Sequence, residues 1–284
     1  MSRDGGTPRE LLEARGLKPK PHFGQNFLTD RNLAAKIAEL ATTPPGGTVV
    51  EIGAGLGALT GPLVERAARV VAIERDRDLA PALRAELGDA IERGALHVVE
   101  TDAKRADYRA LLEGGPRPHA IAGNLPYQLT GPLLELTVGL AGAIDRAVYM
   151  VQLEVAERLR APADGEHYGA LSVFVQAAFT VERAFVVRRG AFYPQPNVDS
   201  AVIVFTPRPD RPSEETPAFR AVVHAAFAQR RKALRNAWRG VLGLDADAIA
   251  SAASAAGIDL GKRGETLDVA TFLRMADEVR RRAP

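Results

Sequence analysis

Residues 121–133, IAGNLPYQLTGPL, put an asparagine, a proline and a tyrosine within four positions at the end of an apolar run. Pro126 has no amide hydrogen and drives Leu125 out of the helical region, so the Leu125 carbonyl stays clear of any hydrogen-bond ladder. With the Asn124 side-chain oxygen it makes two acceptors, and the Tyr127 ring offers a stacking face. That set suits a flat group carrying two N–H hydrogens. The exocyclic amine of adenine is such a group. Its lone pair is delocalised into the ring, and two acceptors that hold its hydrogens favour a more tetrahedral nitrogen with the lone pair aimed outward. A sulfonium methyl placed opposite would then be taken by in-line displacement, with orientation as the main catalytic contribution and no strong general base. Read in isolation, the same four residues equally describe a turn around a buried tyrosine.

A second constellation lies upstream. EIGAGLGAL sets Gly53, Gly55 and Gly57 between a strand and a helix, where absent side chains let backbone amides approach a ligand. The loop matches both the dinucleotide fingerprint and the looser glycine turn that cradles the methionine part of S-adenosylmethionine. Glu74 ends the next strand about 20 residues on, the position for a carboxylate that accepts from both ribose hydroxyls of either cofactor. Asp102 follows the third strand and can accept from an adenine amino group. Alone, Asp102 reads as a helix N-cap before AKRADY; beside Gly53, Glu74 and the NLPY motif, the ligand reading overtakes it.

These residues need elements to position them, and the pattern supplies them. FLTDRNLAAKIAELATT reads as a helix capped by Thr29 or Asp30, with Leu33, Ile37 and Leu40 at helical spacing. From there strands alternate with helices: TVVEIGAG, RVVAIERD, ALHVVETDA, HAIAGNLPY and RAVYMVQ are the strands. That order predicts an α/β fold with a mostly parallel sheet covered on both faces. Two β-rich runs in RAFVVRRGAFYPQPNVDSAVIVFTP predict an antiparallel pair at one sheet edge, and PRPDRPSEETP, residues 207–217, reads as a linker. The expected organisation is a catalytic domain with its N-terminal head over residues 1–207 and a small all-helical domain over 218–284.

Composition bounds the rest. The 284 residues are 46% apolar and 25% charged, with a net charge of +2 and no cysteine, which excludes disulfides, thiolate zinc sites and a cysteine nucleophile. No apolar run reaches the ~20 residues of a membrane span, and the opening residues lack the apolar middle of a secretory signal, so a cytoplasmic protein is expected. The histidines show no paired ligand spacing, and no metal is expected. The best basic segment is FAQRRKALRNAWRG. On one helix, Arg231, Arg235 and Arg239 would form an exposed stripe beside Lys232, next to an apolar stripe of Phe227, Leu234, Trp238 and Val241. Lys18, Lys20 and His22 in the head, and Arg188 and Arg189, are further candidates for nucleic-acid phosphate.

FGQNFLTD, VVEIGAGLGALT, AIERDRDL, GNLPYQLTGPLL, YGALSVFVQ, AFYPQPNVDSAV and FAQRRKALRNAW together resemble the small-subunit ribosomal RNA adenine N6-dimethyltransferase family, over nearly the whole chain. The resemblance implies a Rossmann-like class I methyltransferase sheet, S-adenosylmethionine as cofactor, and a reaction that dimethylates two adjacent adenines in the 3′-terminal hairpin loop of 16S rRNA. It implies cofactor contacts at Asn26, Leu28, Gly53, Gly55, Glu74, Asp102 and Asn124. It places the target amine at Asn124, Leu125, Pro126 and Tyr127, with Phe192 closing the opposite face of the flipped base. The implied partners are small-subunit rRNA and the immature small ribosomal subunit. Apart from the resemblance, a monomer is expected because no apolar stripe is left over for a partner, and the basic residues expected to meet the RNA are Arg231, Lys232, Arg235, Arg239, Lys18 and Lys20. Leu153, Gly131 and the YQLT run depart from the family's more familiar residues. The rival readings are a large-subunit adenine methyltransferase of the resistance type, a non-catalytic RNA-binding assembly factor, and a nucleotide-cofactor dehydrogenase that leaves NLPY and AFYPQP without a role.

Overall fold

Five strands of the computed structural model run as the alternating pattern requires, and the structure describes residues 6–210 and 215–283. The strands are β1 (Phe27–Leu28), β2 (Thr48–Ile52), β3 (Arg69–Glu74), β4 (Leu96–Glu100), β5 (His119–Asn124), β6 (Arg146–Gln152), β7 (Phe179–Val187), β8 (Phe192–Tyr193) and β9 (Ser200–Pro207). Seven of them form one sheet in the order β4-β3-β2-β5-β6-β9-β7. Strands β2 to β6 pair parallel, and β9 pairs antiparallel with β6. All five residues of β2 are buried, as a parallel strand with both faces covered demands. In such a sheet ligand sites form outside the carboxyl ends of the strands where the order reverses, here between β2 and β5. The glycine turn follows β2 and the NLPY turn follows β5, so both motifs open into that crevice.

The helices form as their local signals direct. Asp30, not Thr29, caps Arg31–Ala41, accepting from the Asn32 and Leu33 amides at 2.8 and 3.1 Å. The helix after the glycine turn is only Thr60–Val64.

The described residues divide into two compact units, residues 6–156 with 180–207, and residues 157–179 with 208–210 and 215–283. The expected boundary at 207 is therefore incomplete. Residues 157–179 belong to the helical unit because the helix Ala170–Ala178 is apolar nearly all round, and its Phe174 meets Phe219 of the helix Pro217–Ala228 edge-on at 5.6 Å. Residues 211–214 of the expected linker lie outside the described residues.

A second difference falls in the basic segment. No single helix carries Arg231, Arg235 and Arg239: the helix Pro217–Ala228 ends, and a short one, Leu234–Ala237, begins after a turn. The Leu234 and Arg235 amides donate instead to the carbonyls of Lys262 and Leu260, at 2.8 and 3.0 Å, which breaks the i to i−4 ladder. Trp238 is buried and its indole N–H donates to the Val222 carbonyl at 2.9 Å, while Arg231, Lys232, Arg235 and Arg239 are exposed. No helix among the described residues is long and apolar enough to cross a membrane.

Candidate active site

Asn26, Leu28, Gly53, Gly55, Glu74, Asp102, Asn124, Leu125, Pro126 and Tyr127 all line one cavity at the carboxyl ends of the strands. Its floor is the close approach of β5 to β2. A side chain at Gly123 would put its Cβ 2.6 Å from the Ile52 carbonyl oxygen, so only glycine can precede Asn124 in this register.

Asn124 is held by its own amide. The side-chain nitrogen donates to the Asn26 carbonyl at 2.8 Å. A carbonyl can only accept, so this contact fixes which way the amide points and leaves Oδ1 as an acceptor. The Pro126 carbonyl is used by the Leu129 amide at 2.9 Å and the Thr130 hydroxyl at 3.2 Å. The Leu125 carbonyl and Asn124 Oδ1 make no hydrogen bond among the described residues. Tyr127 opens a short 3-10 turn, half-buried, with its hydroxyl 3.0 Å from Ser200 Oγ at the start of β9. Burial, partly offset by that hydrogen bond, pushes the Tyr127 phenol up, so the ring is neutral and works as a stacking face.

The glycine turn is arranged differently from the expectation of amides aimed at a ligand. The Gly53 and Ala54 amides donate to the Ile73 carbonyl at 2.9 and 3.2 Å, and the Gly55 amide to Glu74 Oε2 at 2.7 Å. Gly55 has φ +58° and faces the Phe27 ring, so the turn contributes room and shape more than free donors. Glu74 also accepts from the Asp76 amide at 2.7 Å. Its burial raises the carboxyl, and those two backbone amides oppose the rise. Asp102 caps a turn, accepting from the Lys104 amide at 3.0 Å, and lies 3.3 Å from the Arg75 guanidinium; the following helix, Tyr108–Leu112, is capped by Asp107.

Three side chains that line the cavity were not picked out in the sequence. Glu51 is fully buried in β2, and its Oε2 has no hydrogen-bond partner; the nearby Thr60 hydroxyl also lacks one. Desolvation pushes the Glu51 carboxyl up to about 7, and the Glu74 charge adds to the rise. Asp76 anchors the N-terminal segment, accepting from Lys20 Nζ at 2.6 Å and Gln25 Nε2 at 2.7 Å. Burial works against the Asp76 charge, but Lys20, the Asp78 amide and Gln25 outweigh it and lower the carboxyl. Arg75 sits 5.2 Å from the Phe23 ring centre. The sequence signal for Arg75 and Asp76 was the run ERDRD itself, whose partners about 50 residues away only folding reveals.

Two expectations fail here. Phe192 is 4% exposed and packs with Leu28, Val187, Val202 and Val204 in the core; it does not line the cavity. β8 pairs with β1 so that Phe192 lies opposite Leu28 and Tyr193 opposite Phe27, and adjacent strand residues face opposite sides, which turns Phe192 inward. Lys20 is not offered to nucleic acid: its Nζ lies 2.6 Å from both Asp76 and Asp78. Lys18 is exposed.

A glycine turn after β2, acids ending β3 and following β4, and the NLPY turn after β5 define, on this sheet, a class I methyltransferase. The family model described as ribosomal RNA adenine dimethylase matches residues 16–281. The Ribosomal RNA small subunit methyltransferase A of Anaeromyxobacter sp. (strain K) is 44% identical, over 94% of this chain and 95% of its own. That of Moorella thermoacetica is 43% identical, over 94% of each chain. Among solved structures, a dimethyladenosine transferase from Plasmodium falciparum has the same fold, at TM-score 0.77 and 23% identity over 90% of this chain and 98% of that one. The 23S rRNA methyltransferase ErmE gives a TM-score of 0.66 at 29% identity, over 90% of this chain and 100% of that one. This chain belongs to the ribosomal RNA adenine dimethylase family.

Proposed function

We propose that this protein dimethylates the N6 amines of two adjacent adenines in the 3′-terminal hairpin loop of small-subunit rRNA, with S-adenosylmethionine as methyl donor. The observation that carries the reading is the pair of unpaired acceptors, Asn124 Oδ1 and the Leu125 carbonyl, beside the Tyr127 ring. The residues present fit the donor: Glu74 and Asp102 keep acceptor capacity in the cavity, the glycine turn leaves space, and the buried Glu51 oxygen lacks a donor. When bound, S-adenosylmethionine supplies a methyl on a positively charged sulfur that departs as a neutral thioether. In the first transfer Asn124 and Leu125 accept the two amine hydrogens and turn the nitrogen lone pair toward that methyl; in the second, one of them accepts the hydrogen that remains. Tyr127, tied to Ser200, holds the base plane. No base is needed before transfer, because the methylated nitrogen is acidic enough to lose its proton to water.

The protein works as a cytoplasmic monomer on the immature small subunit. Lys18, Arg231, Lys232, Arg235 and Arg239, all exposed, contact phosphate. The test is transfer of labelled methyl to small subunits lacking the modification, with large subunits alongside. Label on small-subunit RNA as dimethyladenine is expected; label on the large subunit overturns the substrate assignment, and binding to subunits without transfer overturns the catalytic one.

A further inference from the structure

A groove adjoins the active-site cavity and shares Gly24, Gln25, Asn26 and Tyr127 with it. No step of the transfer uses it. Its lining combines aromatic and apolar surfaces with uncharged hydrogen-bonding side chains and a few charged ones. Tyr193 stands on the side of β8 opposite the buried Phe192, and Val198, 44% exposed, is one of three exposed large apolar side chains among the described residues. Gln152 and Asn197 supply amides, and Lys18 supplies a positive charge. The one acid lining it, Glu13, is paired with Arg9 at 2.8 Å, so the groove carries no net negative charge to repel a phosphate chain. Aromatic faces beside a cation and amides are what a single-stranded nucleic acid requires, because every base has a π-face to stack and every nucleotide a phosphate.

We infer that this groove is a second nucleobase site, in which the base flanking the target adenine stacks on Tyr193 while the target lies against Tyr127. The inference rests on the transfer-site reading above, since the shared wall at Tyr127 is what joins the two bases. It gives the fold a means of choosing a pair of neighbouring bases: the partner of the reacting adenine is held, and register along the strand is set. Gln152 and Asn197 then meet the edge of the flanking base, and Lys18 its phosphate.

The probe is an RNA hairpin with two adjacent loop adenines, carrying the fluorescent base 2-aminopurine at either the target or the flanking position, titrated with the wild type, Tyr193→Leu and Tyr193→Phe. Leucine keeps apolar bulk in contact with the head, and phenylalanine keeps the ring. Affinity for S-adenosylhomocysteine serves as the control that the cavity is intact. With the wild type, stacking on Tyr193 changes the flanking fluorescence; Tyr193→Phe preserves that change. Tyr193→Leu removes it and weakens hairpin binding about tenfold, with S-adenosylhomocysteine affinity unchanged. A flanking signal and affinity indifferent to Tyr193→Leu, or a loss in Tyr193→Phe equal to that in Tyr193→Leu, overturns the site. Absence of any target-position response in the wild type overturns the transfer-site reading and this inference with it.

Discussion

Glu51→Gln isolates a carboxyl that the fold holds at a cost. Glu51 is 1% exposed in β2, and one of its oxygens has no partner. Burial lifts it from 4.5 to about 7. Folding therefore takes up a proton between those values. The stability tied to Glu51 is present in full below about pH 4.5 and is lost as pH rises through about 7. Each pH unit in that window is worth about 1.4 kcal/mol, so the whole window is worth about 3 kcal/mol. Glutamine keeps the shape and removes the titration. Urea unfolding of both proteins, followed by circular dichroism from about pH 5 to about pH 8, measures the effect. Wild-type stability should fall relative to Glu51→Gln by about 2 to 3 kcal/mol across that range, then level off. A difference that does not vary with pH refutes the claim that this carboxyl is desolvated without compensation.

Three further outcomes follow from the geometry. Gly123→Ala forces a Cβ to within 2.6 Å of the Ile52 carbonyl, so it should destabilise the chain by about 1–3 kcal/mol, read as a lower melting temperature. Arg239→Gln should reduce the slope of log affinity for rRNA against log salt by about one, whereas Lys20→Gln should leave that slope unchanged, because Lys20 is held by Asp76 and Asp78. Trp238→Phe removes the buried indole's hydrogen bond to the Val222 carbonyl, which keeps its partner within the helix, costing about 0.5–1.5 kcal/mol in thermal unfolding.

What could be read from the sequence was what short-range pattern determines. The sheet strands, the glycine turn and the NLPY turn all sit where apolar runs, glycine and proline put them, because each signal acts within a few residues. The failures share a different physics. Whether Phe192 or Tyr193 faces the cleft depends on pairing with Leu28 and Phe27, more than 160 residues earlier. Lys20 is neutralised by acids at the end of β3, and the basic segment breaks because Lys262 and Leu260 take its amides. The helix Ala170–Ala178 joins the helical unit through an apolar surface whose partner, Phe219, lies beyond the intervening strands. Glu51 escaped notice because an acid inside an apolar strand looks like an ordinary exception until its burial is known.

The proposed orientation of the target amine by Asn124 and Leu125 is decided by measuring labelled-methyl transfer to unmodified small subunits for the wild type and Asn124→Ala, with S-adenosylhomocysteine affinity determined on the same preparations. Loss of one preorganised acceptor should lower kcat by about 10²-fold or more while binding of S-adenosylhomocysteine remains measurable. Turnover of Asn124→Ala at the wild-type rate would contradict the claim.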